Sequence, residues 1–160
     1  MEKFMKEALR QAKKAAKRGE VPVGAVAVLK GKIIARAYNK TITLNDPTAH
    51  AEILLLKKAA KKVGNYRLND VEIYVTKEPC PMCAGAMIHA RIKSLIYGTP
   101  DEKGGAFSRF GLDLRLANHR FEVHSGILAE ESAKILKEFF KARRGTEVAI
   151  TGSARNRLSR

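Results

Sequence analysis

Four residues of types that bind metals or move protons stand in two short motifs. His50 and Glu52 form a His-x-Glu motif. Cys80 and Cys83 form a Pro-Cys-x-x-Cys motif that begins at Pro79. One imidazole and two thiolates suit Zn²⁺, and three protein ligands leave the fourth tetrahedral position of a catalytic zinc for water. Glu52 is then predicted to act as the general base and acid beside that water.

Both motifs must lie at the beginnings of helices if their side chains are to meet. Cys80 and Cys83 are three residues apart, share one face of a helix, and gain thiolate stabilisation from its N-terminus. His50 and Glu52 are two residues apart and would point about 200° away from each other inside a helix. The zinc hypothesis therefore predicts that His50 occupies the first turn of a helix that begins near residues 48–49.

Each motif alone has an ordinary explanation. A single histidine is usually a surface or core residue, and a Cys-x-x-Cys pair is either half of a metal site or a redox pair. The two motifs together, separated by residues 53–78, favour a zinc site over both alternatives. The remaining histidines, which are His89, His119 and His124, are expected to be structural.

The hydropathy pattern switches repeatedly between the periods of a helix and a strand. The predicted order is α-β-β-α-β-α-β-β-α, with helices over 3–18, 49–63, 80–90 and 128–144 and strands over 21–29, 33–38, 71–76, 94–97 and 121–127. This interleaving predicts a sheet that is covered by helices on both faces. Residues 98–118 contain four glycines and are predicted to form a long loop with functional potential.

The composition fits one folded domain with a large excess of positive charge. The 160 residues include 31 Lys+Arg and 16 Asp+Glu, which gives a net charge of +15. Nucleic acid is therefore the first candidate partner. Neither a membrane span nor the apolar stretch of a signal peptide is evident, so we expect a cytoplasmic protein with no membrane partner. We expect one domain over 1–144 and a basic, flexible C-terminal tail over 145–160.

Several further segments join the two motifs in resembling one family of enzymes. The similar segments, besides Asn39, are 21–26, 46–53, 65–68, 74–76, 78–88, 118–120, 126–129 and 139–140. In these segments the chain is similar to the zinc deaminases of nucleobases, whose signature is H-x-E…P-C-x-x-C. Among these deaminases it resembles the bacterial tRNA adenosine deaminases.

The resemblance implies a fold, a reaction and an assembly. The fold is expected to be an α/β three-layer α/β/α sandwich with a five-stranded mixed sheet, as in cytidine deaminase. The reaction is expected to be hydrolytic deamination of adenosine to inosine at the wobble position of a tRNA anticodon, where a base can be unstacked or flipped. The assembly is expected to be a homodimer with one Zn²⁺ per subunit. The zinc ligands are His50, Cys80 and Cys83, and Glu52 is the catalytic residue.

The resemblance also implies a set of substrate-binding residues. They are Asn39, which would contact the flipped nucleoside, Asp101, which would lie near its backbone, and also Ala51 and Pro79. The chain departs from the family at Lys77, where an apolar residue is usual, and in a loop over 107–116 that looks shorter. The segment after residue 144 has no counterpart in the resemblance.

The basic residues divide into two groups. Arg143 and Arg144 follow two phenylalanines in the last predicted helix, and we predict that they contact RNA. The lysines of the first helix are expected to form a solvated face.

Two other functions stay open on the sequence alone. A deaminase of a free base or nucleoside, such as cytosine or guanine, would use the same zinc site but would not need the positive charge. A non-catalytic, zinc-stabilised RNA-binding subunit would need the positive charge but would have no use for Glu52.

Overall fold

Helices and strands follow one another in the order that the sequence predicts. The computed structural model describes the backbone of residues 1–150 and the side chains of residues 1–146. The helices are α1 (Glu2–Lys17), α2 (Ala51–Val63), α3 (Pro81–Ala90) and α4 (Ala129–Ile150). The strands are β1 (Gly24–Leu29), β2 (Lys32–Tyr38), β3 (Val71–Lys77), β4 (Ser94–Thr99) and β5 (Glu122–His124). A short 3₁₀ turn spans Leu114–Leu116 within the predicted long loop.

The strands form one mixed sheet, in the order β2-β1-β3-β4-β5. Strand β1 is antiparallel to both β2 and β3, whereas β3, β4 and β5 are parallel to one another. Alternate residues of each strand face opposite sides of the sheet. Val26 and Tyr74 face a core with α1, and Ala27 and Ile73 face a second core with α2 and α3. The predicted α/β sandwich with a five-stranded mixed sheet is therefore confirmed.

Helix α1 lies unusually close to the sheet. Its buried stripe includes Met5, Ala8 and Ala12, which present little bulk apart from the methionine. A Cβ at Gly24 would collide with the backbone carbonyl of Ala8, so the first residue of β1 has to be glycine at this approach. Helix α1 packs against the central strands β1 and β3 and covers one face of the sheet, as the hydropathy pattern predicts.

Several boundaries differ from the prediction, each for a local reason. Strand β1 begins at Gly24 and not at Val21, because Pro22 has no N–H for the ladder. Strand β5 stops at His124, since Gly126 adopts φ +85° and turns the chain toward α4. Helix α4 continues past the predicted end at 144 as far as Ile150, so the boundary of the predicted tail falls inside a helix. Positions 151–160 of that tail lie outside the described residues.

One end of the sheet gathers the segments that carry the two motifs. Strand β3 ends at Lys77 and leads directly into α3. Antiparallel pairing of Gly24 with Tyr38, and of Ala25 with Val75, brings the start of β1 and the end of β2 to the same end of the sheet as the end of β3. Within residues 1–150, no helix is long and apolar enough to cross a membrane.

Candidate active site

The first residues of α2 and α3 bring one histidine and two cysteines together. His50 is the N-cap of α2, and Cys80 is the N-cap of α3. The Nδ1 atom of His50 lies 3.7 Å from Sγ of Cys80 and 3.5 Å from Sγ of Cys83. The three potential ligand atoms all lie within 4.8 Å of one another. The two thiols and the imidazole therefore face one common point.

Helix α2 begins later than the sequence analysis predicts. Its first residue is Ala51 and not a residue at 48–49, so His50 precedes the helix with extended backbone angles of φ −69° and ψ 151°. The carboxylate of Asp46 accepts hydrogen bonds at 2.8 Å from both the N–H and the hydroxyl of Thr48, which holds the preceding residues in a turn. Because His50 precedes the first helical residue, its imidazole does not follow the helical spacing of side chains. His50 and Glu52 can therefore both line the same cavity.

The spacing of these atoms fits a tetrahedral zinc ion. In a site with Zn–S of about 2.3 Å and Zn–N of about 2.0–2.1 Å, tetrahedral angles place sulfur and nitrogen ligands about 3.6 Å apart. The observed distances of 3.7 and 3.5 Å lie on either side of that value. The donor set of one imidazole and two thiols is also one that zinc accepts.

The pKa values of the two cysteines are shifted in opposite directions. The hydrogen bond from Cys83, assisted by His50, lowers the pKa of Cys80 to about 4 despite partial burial. The same hydrogen bond, together with burial, raises the pKa of Cys83, because Cys83 is the partner that keeps its proton. The lowered pKa of Cys80 favours the thiolate, the form of cysteine that binds a metal.

Glu52 is a buried carboxyl group beside this cluster. It lies in the first turn of α2, is 4% exposed and lines the same cavity as His50 and Cys80. Burial raises the pKa of Glu52 above its ordinary value. A carboxyl group with a raised pKa takes up a proton more readily than an ordinary carboxyl group does, which suits a general acid and base.

The cavity in front of these residues has a volume of about 230 Å³. That is less than the roughly 300–1,000 Å³ of sites for drug-sized ligands, so it suits a group of about the size of one base. Three of the predicted substrate-binding residues line it, namely Asn39, Ala51 and Asp101. Pro79 is buried and is not part of the lining, and its carbonyl accepts a hydrogen bond of 2.9 Å from the N–H of Ala106. Pro79 thus supports the neighbouring loop and does not face the cavity.

A buried carboxylate that sequence reasoning missed anchors the loop after β2. Glu20 is fully buried, and it accepts hydrogen bonds from the N–H of Ile42 at 3.0 Å and of Thr43 at 2.7 Å, and from the Thr43 hydroxyl. Burial by itself would raise the pKa of Glu20, but these hydrogen bonds outweigh it and lower the pKa. The anchored loop includes Thr41, which lines the cavity.

A second missed carboxylate anchors the loop after β4. Glu78 is 3% exposed and accepts hydrogen bonds from the N–H groups of Asp101, Phe107 and Ser108 and from the Ser108 hydroxyl. We call residues 101–111 the rim loop, because Asp101 lies at the edge of the cavity. The position of Glu78 directly before Pro-Cys is the signal that could have identified it, since a carboxylate between buried residues needs several donors.

The two predicted RNA-binding arginines lie near the end of the described chain. Arg143 is half-buried, with its guanidinium carbon 5.0 Å from the centre of the Phe139 ring. Its positive charge contributes to the lowered pKa of Glu20, after the hydrogen bonds from Thr43 and Ile42. Arg144 is exposed. Neither arginine lines the cavity, so any contact they make with a ligand lies outside it.

Comparison with known proteins identifies relatives over most of the chain. The model of the MafB19-like deaminase family matches residues 1–144. A tRNA-specific adenosine deaminase of Haemophilus influenzae is 51% identical over 146 residues, which cover 89% of this chain and 84% of that protein. A tRNA-specific adenosine deaminase of Bacillus subtilis is 45% identical over 160 residues, which cover 99% of this chain and 97% of that protein.

A solved structure is similar in both fold and sequence. It comes from work on A-to-I editing by tRNA:A34 deaminases at the wobble position of transfer RNA. It superposes with a TM-score of 0.78 at 47% identity, and the match covers 84% of this chain and 99% of that chain.

Proposed function

The chain belongs to the MafB19-like deaminase family and, within the deaminases, to the tRNA-specific adenosine deaminases, and from this membership we propose that it converts the wobble adenosine of a tRNA anticodon to inosine. The observation that carries the proposal is the cluster of His50, Cys80 and Cys83 next to a base-sized cavity that His50, Cys80 and Glu52 line. The net charge of +15 supports a polyanionic RNA over a free base as the substrate.

His50, Cys80 and Cys83 are the residues that would hold one zinc ion in each subunit. Zinc at this position supplies Lewis-acid chemistry that makes water a stronger nucleophile at neutral pH. The Sγ atom of Cys80 and the Nδ1 atom of His50 already lie 3.7 Å apart, as two ligands of one ion would. Cys83, whose pKa is raised, would have to lose its proton to act as the third ligand.

Glu52 carries the proton transfers of the reaction. It takes one proton from the water whose oxygen attacks C6 of adenine and delivers it to ring nitrogen N1, and it then takes the second proton from that oxygen and delivers it to the departing amine. The C6–N bond then breaks, ammonia leaves and hypoxanthine remains on the ribose. The raised pKa of Glu52 suits both halves of this exchange, because the group must accept and then release a proton.

The remaining lining residues would hold the nucleoside. Asn39 is 7% exposed, and its amide nitrogen donates a hydrogen bond of 3.4 Å to the carbonyl of Val21, which fixes the side chain at the cavity wall. Ala51 lies beside it at the start of α2, and Asp101 lies at the rim. The target adenosine would leave its stack to enter, and its neighbours in the anticodon loop would remain outside.

The outer face of α3 favours a homodimer. The helix is predominantly apolar, yet Pro81 and Met82 are exposed and Gly85 faces open space. An apolar helix usually finds a covering partner on every side. A second copy of this chain would cover the exposed face, and sedimentation equilibrium should then give twice 17.7 kDa. A single-copy mass would refute the dimer. We expect the enzyme to act in the cytoplasm, where tRNA is modified.

The test of the proposed function is a deamination assay with two classes of substrate. The protein is loaded with zinc and incubated with an arginine-type anticodon stem-loop, or with free cytosine, guanine and adenosine. Nucleoside mass spectrometry should find inosine in the stem-loop alone. Deamination of free bases alone would favour the alternative enzyme, and bound zinc without any deamination would favour a non-catalytic RNA-binding subunit. The Glu52→Ala variant should keep its zinc and lose turnover.

A further inference from the structure

The charged side chains that line the cavity are mainly acidic, although the chain as a whole carries a net positive charge. Three carboxylates line it, from Glu52, Glu78 and Asp101. Lys77 is the only lysine or arginine among the lining residues drawn from the described part of the chain. An RNA substrate would bring phosphates to this opening. The net charge of +15 therefore does not explain how the opening accepts them, and Lys77 is the group that can.

The carboxylates differ in how much of their charge an RNA would meet. Glu52 and Glu78 are almost fully buried, and Glu78 is surrounded by donors from the rim loop. Asp101 is the one at the surface, with its side chain 19% exposed. Left unpaired, Asp101 would repel a phosphate at the mouth of the cavity.

Lys77 lies directly against that carboxylate. Its Nζ atom is 3.2 Å from Oδ2 of Asp101, and its side chain is 31% exposed. The other carboxylate oxygen accepts the backbone N–H groups of Lys103 and Gly104, both at 3.1 Å. Asp101 is thus fixed by the rim loop, and it holds the ammonium group at the opening. A lysine has three N–H donors, so donors remain for a ligand.

We propose that Lys77 binds a phosphodiester oxygen of the RNA next to the target nucleotide, with Asp101 holding its ammonium group in place. This inference rests on the proposed function, since it requires an RNA substrate. The cavity holds one base, so the flanking phosphates must stay at its mouth, where Lys77 is accessible. The resemblance to related deaminases leads us to expect an apolar residue at this position, so the contact would be a feature of this chain.

The first experiment compares salt dependence of binding among matched variants. Binding of a fluorescent anticodon stem-loop is measured from low to high salt for wild type and Lys77→Leu. The control is Lys32→Leu, because Lys32 is exposed in the β1–β2 hairpin, about 20 Å along the strands from the cavity. Lys77→Leu should bind about fivefold more weakly at low salt. Its plot of log affinity against log salt should be shallower by about 0.7, the value for one phosphate of a single strand. Lys32→Leu should match wild type.

The second experiment locates the phosphate. Stem-loops with one uncharged methylphosphonate on either side of the target adenosine are bound to wild type and to Lys77→Leu. At one of the two linkages the methylphosphonate should weaken binding to wild type, and it should not weaken binding to the variant, in which the unpaired Asp101 repels that phosphate. Lys77→Arg should keep the wild-type slope, and Lys77→Gln should behave as Lys77→Leu does.

The outcomes separate this inference from the function on which it rests. An unchanged salt slope in both Lys77→Leu and Lys77→Gln, or additive losses at both linkages, would overturn the phosphate contact and leave Lys77 as a partner of Asp101 alone. Absence of inosine with the wild-type enzyme would overturn the proposed function instead. Melting temperatures show whether each variant is folded at the temperature of the assay.

Discussion

Replacing Glu78 by glutamine should release the rim loop from the cavity. One carboxylate oxygen accepts N–H of Asp101 at 3.1 Å and the hydroxyl of Ser108, and the other accepts N–H of Phe107 at 3.0 Å and of Ser108 at 2.9 Å. A glutamine has only one such oxygen. If the NH₂ group replaces the oxygen bonded by Phe107 and Ser108 N–H, two hydrogen bonds are lost. If it replaces the other oxygen, the bond from Asp101 is lost, whereas the Ser108 hydroxyl can turn and accept from the NH₂ group.

The magnitude follows from the loss of one or two hydrogen bonds. A hydrogen bond to a charged group contributes about 1.5–3 kcal/mol, so the loss of two has an upper value of about 6 kcal/mol. The rim loop is partly exposed and can recover some hydrogen bonds with water. We therefore expect the free energy of unfolding to decrease by about 3 kcal/mol. For a chain of this length, that corresponds to a fall of about 10 °C in melting temperature.

Two measurements check the Glu78→Gln prediction. Calorimetry should give the fall in melting temperature, and kcat/KM for the anticodon stem-loop should decrease roughly tenfold, because Asp101 and Lys77 lose their positions at the rim. Zinc content should stay at the wild-type value, since the ligands lie on helix ends. The matched control is Glu102→Gln, an exposed residue of the same loop, which should leave both quantities unchanged. A loss below about 1 kcal/mol with normal kcat/KM would show that Glu78 does not hold the loop.

Two further predictions concern the loop after β2 and the arginines of α4. The pKa of Glu20 is lowered in the folded protein, so its contribution to stability is present above pH of about 4.3 and is lost as the pH falls through the lower folded value. Glu20→Gln should therefore unfold more easily than wild type in urea at pH 7, and the difference should disappear in acid; a constant difference would contradict the assignment. Replacing Arg143 and Arg144 by alanine should weaken binding of the stem-loop and flatten its salt slope, and an unchanged slope would remove both from the RNA interface.

The groups with distinctive chemistry could be predicted from the sequence. A metal site depends on few residue types at fixed spacing, so His50, Cys80 and Cys83 could be paired although 29 residues separate the histidine from the first cysteine. The alternation of helices and strands was also readable, because both faces of the sheet need apolar residues. The continuation of α4 past residue 144 could not be predicted, because Gly145 resembles a residue that ends a helix. The helix continues through Gly145 at a cost of about 1 kcal/mol.

The partners of the two carboxylates that hold the loops could not be predicted in the same way. Glu20 binds residues 22 and 23 positions later, and Glu78 binds residues up to 30 positions later. No local pattern records such partners, because a carboxylate that accepts backbone N–H groups sets no requirement on the side chains of its donors. The role of Lys77 was hidden for a related reason, since its charge acquires meaning only through the distant Asp101.

The residues proposed for zinc binding and proton transfer lie on different elements from most of those proposed to bind the RNA. The potential metal ligands and Glu52 lie at the N-termini of two helices that pack on the sheet, so their positions depend on the core. Thr41 and Asp101 lie on loop segments that hydrogen bonds to Glu20 and Glu78 hold in place, and Asn39 lies shortly before the first of these segments. Loss of a loop carboxylate should therefore impair RNA recognition and raise KM while zinc stays bound. Loss of a helix-terminal ligand should remove the metal and abolish turnover with little change in RNA affinity.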